Sequence, residues 1–180
     1  MQRQTRRARP RGLTLIGTCT ALAIAGVLTI AALRLVQNAH ADAVAEALSL
    51  ELIGSLRYAK TEAAARNQGV RLSVYERRAG GCYLVHTGDR SDCRCTGSDS
   101  AHCSNGAEAL QVVFLPADEP VQLTANANSI LFNARNATTV SGGTLCIALS
   151  GGKEIRHGVD IEGDVRTCAA ISRTSVCEPC

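Results

Sequence analysis

Three regimes of hydrophobic patterning follow one another along the chain. From Leu13 to Leu33 no residue is charged and apolar side chains occupy every side; at about 1.5 Å per residue this run crosses roughly 30 Å of hydrocarbon as a helix. Val44, Leu48, Leu52, Leu56, Ala59 and Ala63 then recur at spacings of four and three. Asp42, Glu46, Glu51, Arg57, Lys60, Glu62 and Arg66 take the other faces, the pattern of a helix with one buried side. No proline lies between Leu13 and Asn67, so the two regimes predict one helix of about 55 residues, roughly 80 Å long, ended by Asn67-Gln68-Gly69.

After Gly69 the period falls to two. Val70, Leu72 and Val74 alternate with Arg71, Ser73 and Tyr75 as in a half-buried strand. Short runs at Cys82 to Val85, Gln111 to Leu115, Ile130 to Asn133, Thr144 to Leu149 and Ile155 to Ile161 are separated by glycine, asparagine and aspartate turns. Ser150-Gly151-Gly152-Lys153 reads as a hairpin turn between two of them. His86 to Glu108 is polar, cysteine-rich and unpatterned, and is expected to be a long loop pinned by bridges. The fold class predicted is α+β: a long N-terminal helix, its first half transmembrane, packed on a mostly antiparallel β-sheet.

Charge and cysteines change the picture in two ways. The formal charge of +3 owes its sign to Arg3, Arg6, Arg7, Arg9 and Arg11. Without these five of the 19 basic residues, the 16 acidic residues outnumber the rest and the body is slightly acidic. Basicity is thus no argument for a nucleic-acid-binding body. The arginines favour a cytoplasmic N-terminus and place everything after Arg34 across the membrane. There, Cys82, Cys93, Cys95, Cys103, Cys146, Cys168, Cys177 and Cys180 form an even set, as disulfides do in an oxidising compartment. Eight cysteines allow 105 pairings, so connectivity stays open. Zinc ligation by Cys93, Cys95, His102 and Cys103 is chemically conceivable, but the spacing departs from common clusters. Cys177-Glu178-Pro179-Cys180 imitates a redox CxxC without opening a helix that would lower a thiol pKa.

A cleaved secretory signal also fits the basic start, the apolar run and the small-x-small site Ala39-His40-Ala41, although the apolar run exceeds an ordinary signal core. The boundary Arg11-Gly12-Leu13-Thr14-Leu15-Ile16 resembles the leader of type IV prepilins, basic residues and glycine followed by Phe-Thr-Leu-Ile-Glu. That resemblance implies cleavage by a prepilin peptidase between Gly12 and Leu13, with N-methylation at Leu13. Leu13 replaces the usual phenylalanine, and Gly17 stands where the family carries a glutamate. Family members at a filament tip can lack that carboxylate.

Further along, Leu52 to Leu72 (LIGSLRYAKTEAAARNQGVRL) resembles the helix end and first strand of the GspH/FimT domain, with Lys60 where arginine is usual. Ile130-Leu131-Phe132-Asn133, Gly142-Gly143-Thr144-Leu145 and Gly163-Asp164-Val165-Arg166-Thr167-Cys168 are similar to its later segments. The resemblance implies a leader at 1–12, a transmembrane helix at 13–33, a periplasmic amphipathic continuation at 34–69 and a GspH/FimT-like β domain at 70–180. It also implies a single-pass protein of the bacterial inner membrane that joins a periplasmic or surface filament. Its partners would be other minor pilins or pseudopilins, the inner-membrane assembly platform and the prepilin peptidase.

The function expected is a minor pilin or pseudopilin of type II secretion or of a type IV pilus, at or near the tip, with no catalytic site, metal or cofactor. The alternative that the resemblance implies is DNA capture during natural transformation, to which FimT-like pilins have been linked through arginines near the C-terminus. Here Lys153, Arg156, Arg166 and Arg173 could meet phosphates. Asp160, Glu162 and Asp164 oppose that reading. Tyr58, Tyr75, Tyr83, Phe114 and Phe132 are too few for a row of base-stacking platforms. The four cations read more simply as solvated surface charge. His40, His86, His102 and His157 fall in no nucleophile or metal motif, and His157 reads as an ordinary exposed strand residue.

Overall fold

The computed structural model describes residues 15–77, 80–96, 100–135, 138–140, 142–149, 152–171 and 177–179, with the side chains of 76, 77, 80, 170 and 171 excepted. It falls into two units, one ending at His40 and one beginning at Ala41.

The first unit is the opening of helix α1 (Leu15–Arg66). Leu15, Ile16, Leu22, Ile24, Val27, Leu28, Ile30 and Leu33 are all exposed. An 18-residue window of the helix reaches a mean hydropathy of 2.1, and none of it is buried.

The second unit contains the rest of α1 and ten strands: β1 (Val70–Arg77), β2 (Gly80–Thr87), β3 (Cys93–Thr96), β4 (Ser100–Cys103), β5 (Ala109–Pro116), β6 (Val121–Ala125), β7 (Ser129–Phe132), β8 (Gly143–Leu149), β9 (Lys153–Val159) and β10 (Val165–Ile171). α1 ends where Asn67 turns left-handed at φ 49°, a conformation asparagine tolerates better than most residues. The Asn67 amide donates to Ala64 O and that of Gln68 to Ala63 O, which closes orphan carbonyls of the last turn as in a Schellman cap. The chain then enters β1.

All described strand pairs are antiparallel. One sheet has the order β5-β2-β1-β7 and a second β10-β9-β8-β6; β3 and β4 form a hairpin of their own. The helix stripe expected from its spacing is buried at Leu48, Leu52, Leu56, Ala59 and Ala63, with Val44 partly buried. It shares one core with Leu72, Tyr83, Val85, Ile130 and Phe132 of the first sheet and Leu145 and Ile147 of the second. Leu52 and Leu56, 0% and 1% exposed, each contribute roughly 1.5–3 kcal/mol by leaving water.

The outer face of each sheet is also covered, and each cover is fastened covalently. On the first sheet, the β3–β4 hairpin lies over Tyr75, Leu84, Val112 and Phe114 in a second apolar cluster. Cys82–Cys95 ties it to β2, and Cys93–Cys103 joins residues directly opposite in its own ladder, Cα to Cα 4.1 Å. On the second sheet, Cys146 and Arg156 point away from the core. Cys146–Cys177 and the 3.7 Å contact of Arg156 with Glu178 hold the chain end over them.

The strands differ from expectation in several places, and β6 and β10 lie outside the expected runs. Two sheets replace one, because period-two patterning marks a strand without naming its neighbour. His86 to Glu108 carries β3 and β4, whose burial depends on disulfides and not on apolar alternation. The strand expected from Ile155 to Ile161 stops at Val159, where Asp160 Oδ1 accepts the amides of Glu162 and Asp164 (3.0 and 2.9 Å) and closes a turn.

Candidate functional site

Two kinds of surface on α1 could act on something outside the chain. From Leu15 to Leu33 the helix has an apolar exterior, and its threonine hydroxyls are turned inward on their own backbone. Thr18 donates to Leu15 O (2.8 Å), Thr20 to Gly17 O (3.0 Å) and Thr29 to Ala25 O (2.8 Å). Satisfied in this way, the hydroxyls demand no water. Such a surface suits lipid or apolar partner helices. Gly17 lies on it and adds no charge.

From Ala41 to Arg66 the helix is held in a fixed register by polar keys set in the apolar stripe. Ser49 Oγ lies 3.1 Å from His157 Nε2, and the other ring nitrogen of His157 lies 3.0 Å from Thr167 Oγ1, so β9 and β10 are tied to the helix. One turn and a half later, Ser55 donates to Glu51 O (3.0 Å). Its oxygen also lies 3.2 Å from the Tyr83 hydroxyl, and either of the two can donate. Burial drives the Tyr83 phenol up to about 12, with the bond to Ser55 opposing the rise and the Glu51 charge adding to it. Burial also lowers the pKa of His157. His157 is therefore a fully buried key and not the exposed strand residue its flanks suggested.

A serine–histidine pair can serve acyl transfer, but this one is enclosed between helix and sheet. Ser49 is 8% exposed and His157 is 0%. The group behind the ring is a threonine hydroxyl, where a catalytic pair would have a carboxylate.

A second buried histidine ties strands of the other sheet to one another. His86 Nε2 lies 2.9 Å from Ser73 Oγ, which reaches Ser129 at 3.1 Å, and His86 Nδ1 lies 2.9 Å from Thr87 O. Burial lowers its pKa most. Arg71 adds to that effect, while the Thr87 carbonyl and Asp92 oppose it.

The cations singled out for DNA are largely spent within the fold. Lys153 Nζ reaches both oxygens of Asp42 at 2.9 Å. Arg156 is buried, with Nε and Nη2 at 3.2 and 2.9 Å from Glu154 Oε2, so it is no solvated surface charge. Arg166 is exposed and 4.0 Å from Asp160. Arg173 lies outside the described residues. Among those described, these side chains make no shared phosphate-facing surface.

Three of the bridges involve Cys82, Cys93, Cys95, Cys103, Cys146 and Cys177; Cys168 is disulfide-bonded as well. Cys180, like Gly12 and Leu13, lies outside the described residues. With their sulfurs in bridges, Cys93, Cys95 and Cys103 have no thiolate to offer zinc. The same holds for Cys146 and Cys177 beside Glu154. Ser49 and Ser55 have no role in the sequence reading, and Tyr83, His86 and His157 figure there only as an aromatic and two histidines outside any motif. The available signal was serine beside leucine in an otherwise apolar helix stripe.

The family described as Type II transport protein GspH matches residues 49–164. No curated protein matches the chain. Among solved structures, the type IV minor pilin FimU of Pseudomonas aeruginosa is similar in two crystal forms. One has a TM-score of 0.50 at 15% identity over 67% of this chain and 85% of that one. The other has a TM-score of 0.51 at 15% identity over 74% and 99%. The minor pseudopilin EpsH from the Type 2 Secretion System of Vibrio cholerae gives 0.47 at 14% identity over 72% and 97%. At such identities the FimU likeness speaks for the fold alone.

Proposed function

The chain belongs to the GspH family of type II transport proteins, and from that premise we propose that it is a minor pilin or pseudopilin, a structural subunit of a type IV filament machine. The observation that carries this reading is the contrast along α1: an apolar, exposed stretch to Leu33, then, from Ala41, a stretch keyed into a two-sheet domain. The first stretch supplies a membrane anchor before assembly and an apolar packing surface within a filament. The second carries a rigid head.

In this reading residues 1–12 are a leader removed by a prepilin peptidase between Gly12 and Leu13, and Leu13 becomes the N-methylated start. Residues 13–33 cross the inner membrane with the N-terminus cytoplasmic. Residues 34–69 continue the helix in the periplasm, and 70–180 form the head. Disulfides support placing the head in an oxidising space. Its partners are other minor pilins or pseudopilins and the assembly platform, and its role is structural, not catalytic. Gly17 brings no carboxylate to neutralise a neighbour's amino terminus inside the membrane, where an unpaired charge costs at least about 2.5 kcal/mol. This supports a place at or near the tip, in about one copy per filament.

N-terminal sequencing and mass spectrometry of the membrane fraction test the reading. A start at methylated Leu13 is expected, and a start at Asp42 would overturn it in favour of a secreted domain. Many copies along the shaft of purified filaments would overturn the tip placement alone.

A further inference from the structure

A cleft of about 460 Å³ opens between α1 and the second sheet, lined by Asp42, Ala45 and Glu46 of the helix and by Leu149, Ile155 and Ala169 of three adjacent strands, with Lys153 and Glu154 at its margin. Its floor is aliphatic: Ala45 and Leu149 are buried and Ile155 is partly buried against the core. Its rim is acidic. Asp42 and Glu46 stand there against one lysine, while the Glu154 carboxylate turns to the far face of β9 beside Cys146 and Cys177. Asp42 is engaged by Lys153 and Glu154 by Arg156, both at 2.9 Å, which leaves Glu46 with no cation among the described residues.

We propose that this cleft receives an aliphatic side chain from the helix of a neighbouring subunit, and that a lysine or arginine one turn away on that helix pairs with Glu46. The inference rests on the subunit reading above and adds to it the face and the chemistry of one contact. Helical residues three or four apart share a face, so one partner helix can meet an apolar floor and an anionic rim together. The rim repels phosphate, which disfavours anionic lipid and nucleic acid as occupants. A bare acyl chain would fill the floor and leave Glu46 unpaired.

The test uses the full chain in its native membranes, with a photo-crosslinking amino acid placed at exposed Ala169 and, separately, at Leu22 in the apolar stretch. The Ala169 probe is expected to capture a second protein at a helical segment within one turn of a lysine or arginine. Glu46→Lys, an exposed change that leaves the core intact, should cut that yield about fivefold, and reversing the partner's cation to glutamate should restore it. Capture of lipid, or of nothing, from Ala169 while Leu22 captures a protein would overturn the cleft and spare the subunit reading. Failure at both positions would overturn both. Undiminished capture by Glu46→Lys would remove the ion pair and with it the proposed specificity.

Discussion

The two stretches of α1 handle polar groups in opposite ways, although both are helical and largely apolar. Before His40, Thr18, Thr20 and Thr29 bond carbonyls of their own helix, so the surface is indifferent to rotation about its axis. After Ala41, Ser49 reaches His157 and Ser55 meets Tyr83, so only one register satisfies all partners. A rotated or shifted helix would leave buried donors and acceptors unmade, at about 1–3 kcal/mol each. The first stretch can accept lipid or differing neighbours; the second is committed to its own head.

This contrast can be broken or sharpened by mutation, with unfolding of the head followed by denaturant in detergent-solubilised full chain. Leu52→Ala should cost about 2–5 kcal/mol, whereas Leu28→Ala should change stability by less than about 0.5. Equal losses would break the comparison outright. Removing Cys146–Cys177 by the paired serine substitutions should cost about 2–4 kcal/mol, because the bridge closes a separation of 31 residues. Ser49→Ala strands a ring nitrogen of His157 and should cost about 1–3 kcal/mol, while Thr20→Ala should stay within about 0.5.

Acid supplies a further test. Both buried histidines have lowered pKa values in the folded state, so below the unfolded value of about 6.5 the unfolded chain binds more protons. Head stability should therefore be full above that pH and fall beneath it, by up to about 1.4 kcal/mol per pH unit for each histidine. His157→Gln should flatten part of the slope, and an unchanged slope would assign it elsewhere. A small effect is expected from Lys60→Met. It removes an exposed 3.1 Å pair with Asp164 and should cost about 1 kcal/mol or less, diminishing with salt.

What could be read in the sequence follows from which periodicities survive folding. The helix stripe and the alternation of Val70, Leu72 and Val74 each face one core, so period and burial agree. In β9 they part: Arg156 and His157 are adjacent and both buried, because the core lies on one side and the Cys177–Glu178 segment on the other. Alternation carries no such information when both faces are covered. β3 and β4 were illegible for a related reason, since their burial comes from bridges that 105 possible pairings could not resolve. β10 was seen only as a closing motif, although Val165 to Ile171 pairs along its length with β9. The cleft beside Glu46 had no sequence signal, because its lining comes from four elements.

The covalent fastening of the two outer covers bears on how this molecule can vary over time. A segment that stays in place by packing must keep its shape and its hydrophobicity, and each substitution in it risks the whole. One tethered by a sulfur bridge needs only its cysteine in the right place. The residues between become free to drift, lengthen or acquire new contacts while the frame beneath is undisturbed. The family match spans residues 49–164 and so stops short of the chain-end cover fastened at Cys177. In this architecture the exterior can be refitted without rebuilding the scaffold, and two sulfur atoms mark each place where a fitting attaches.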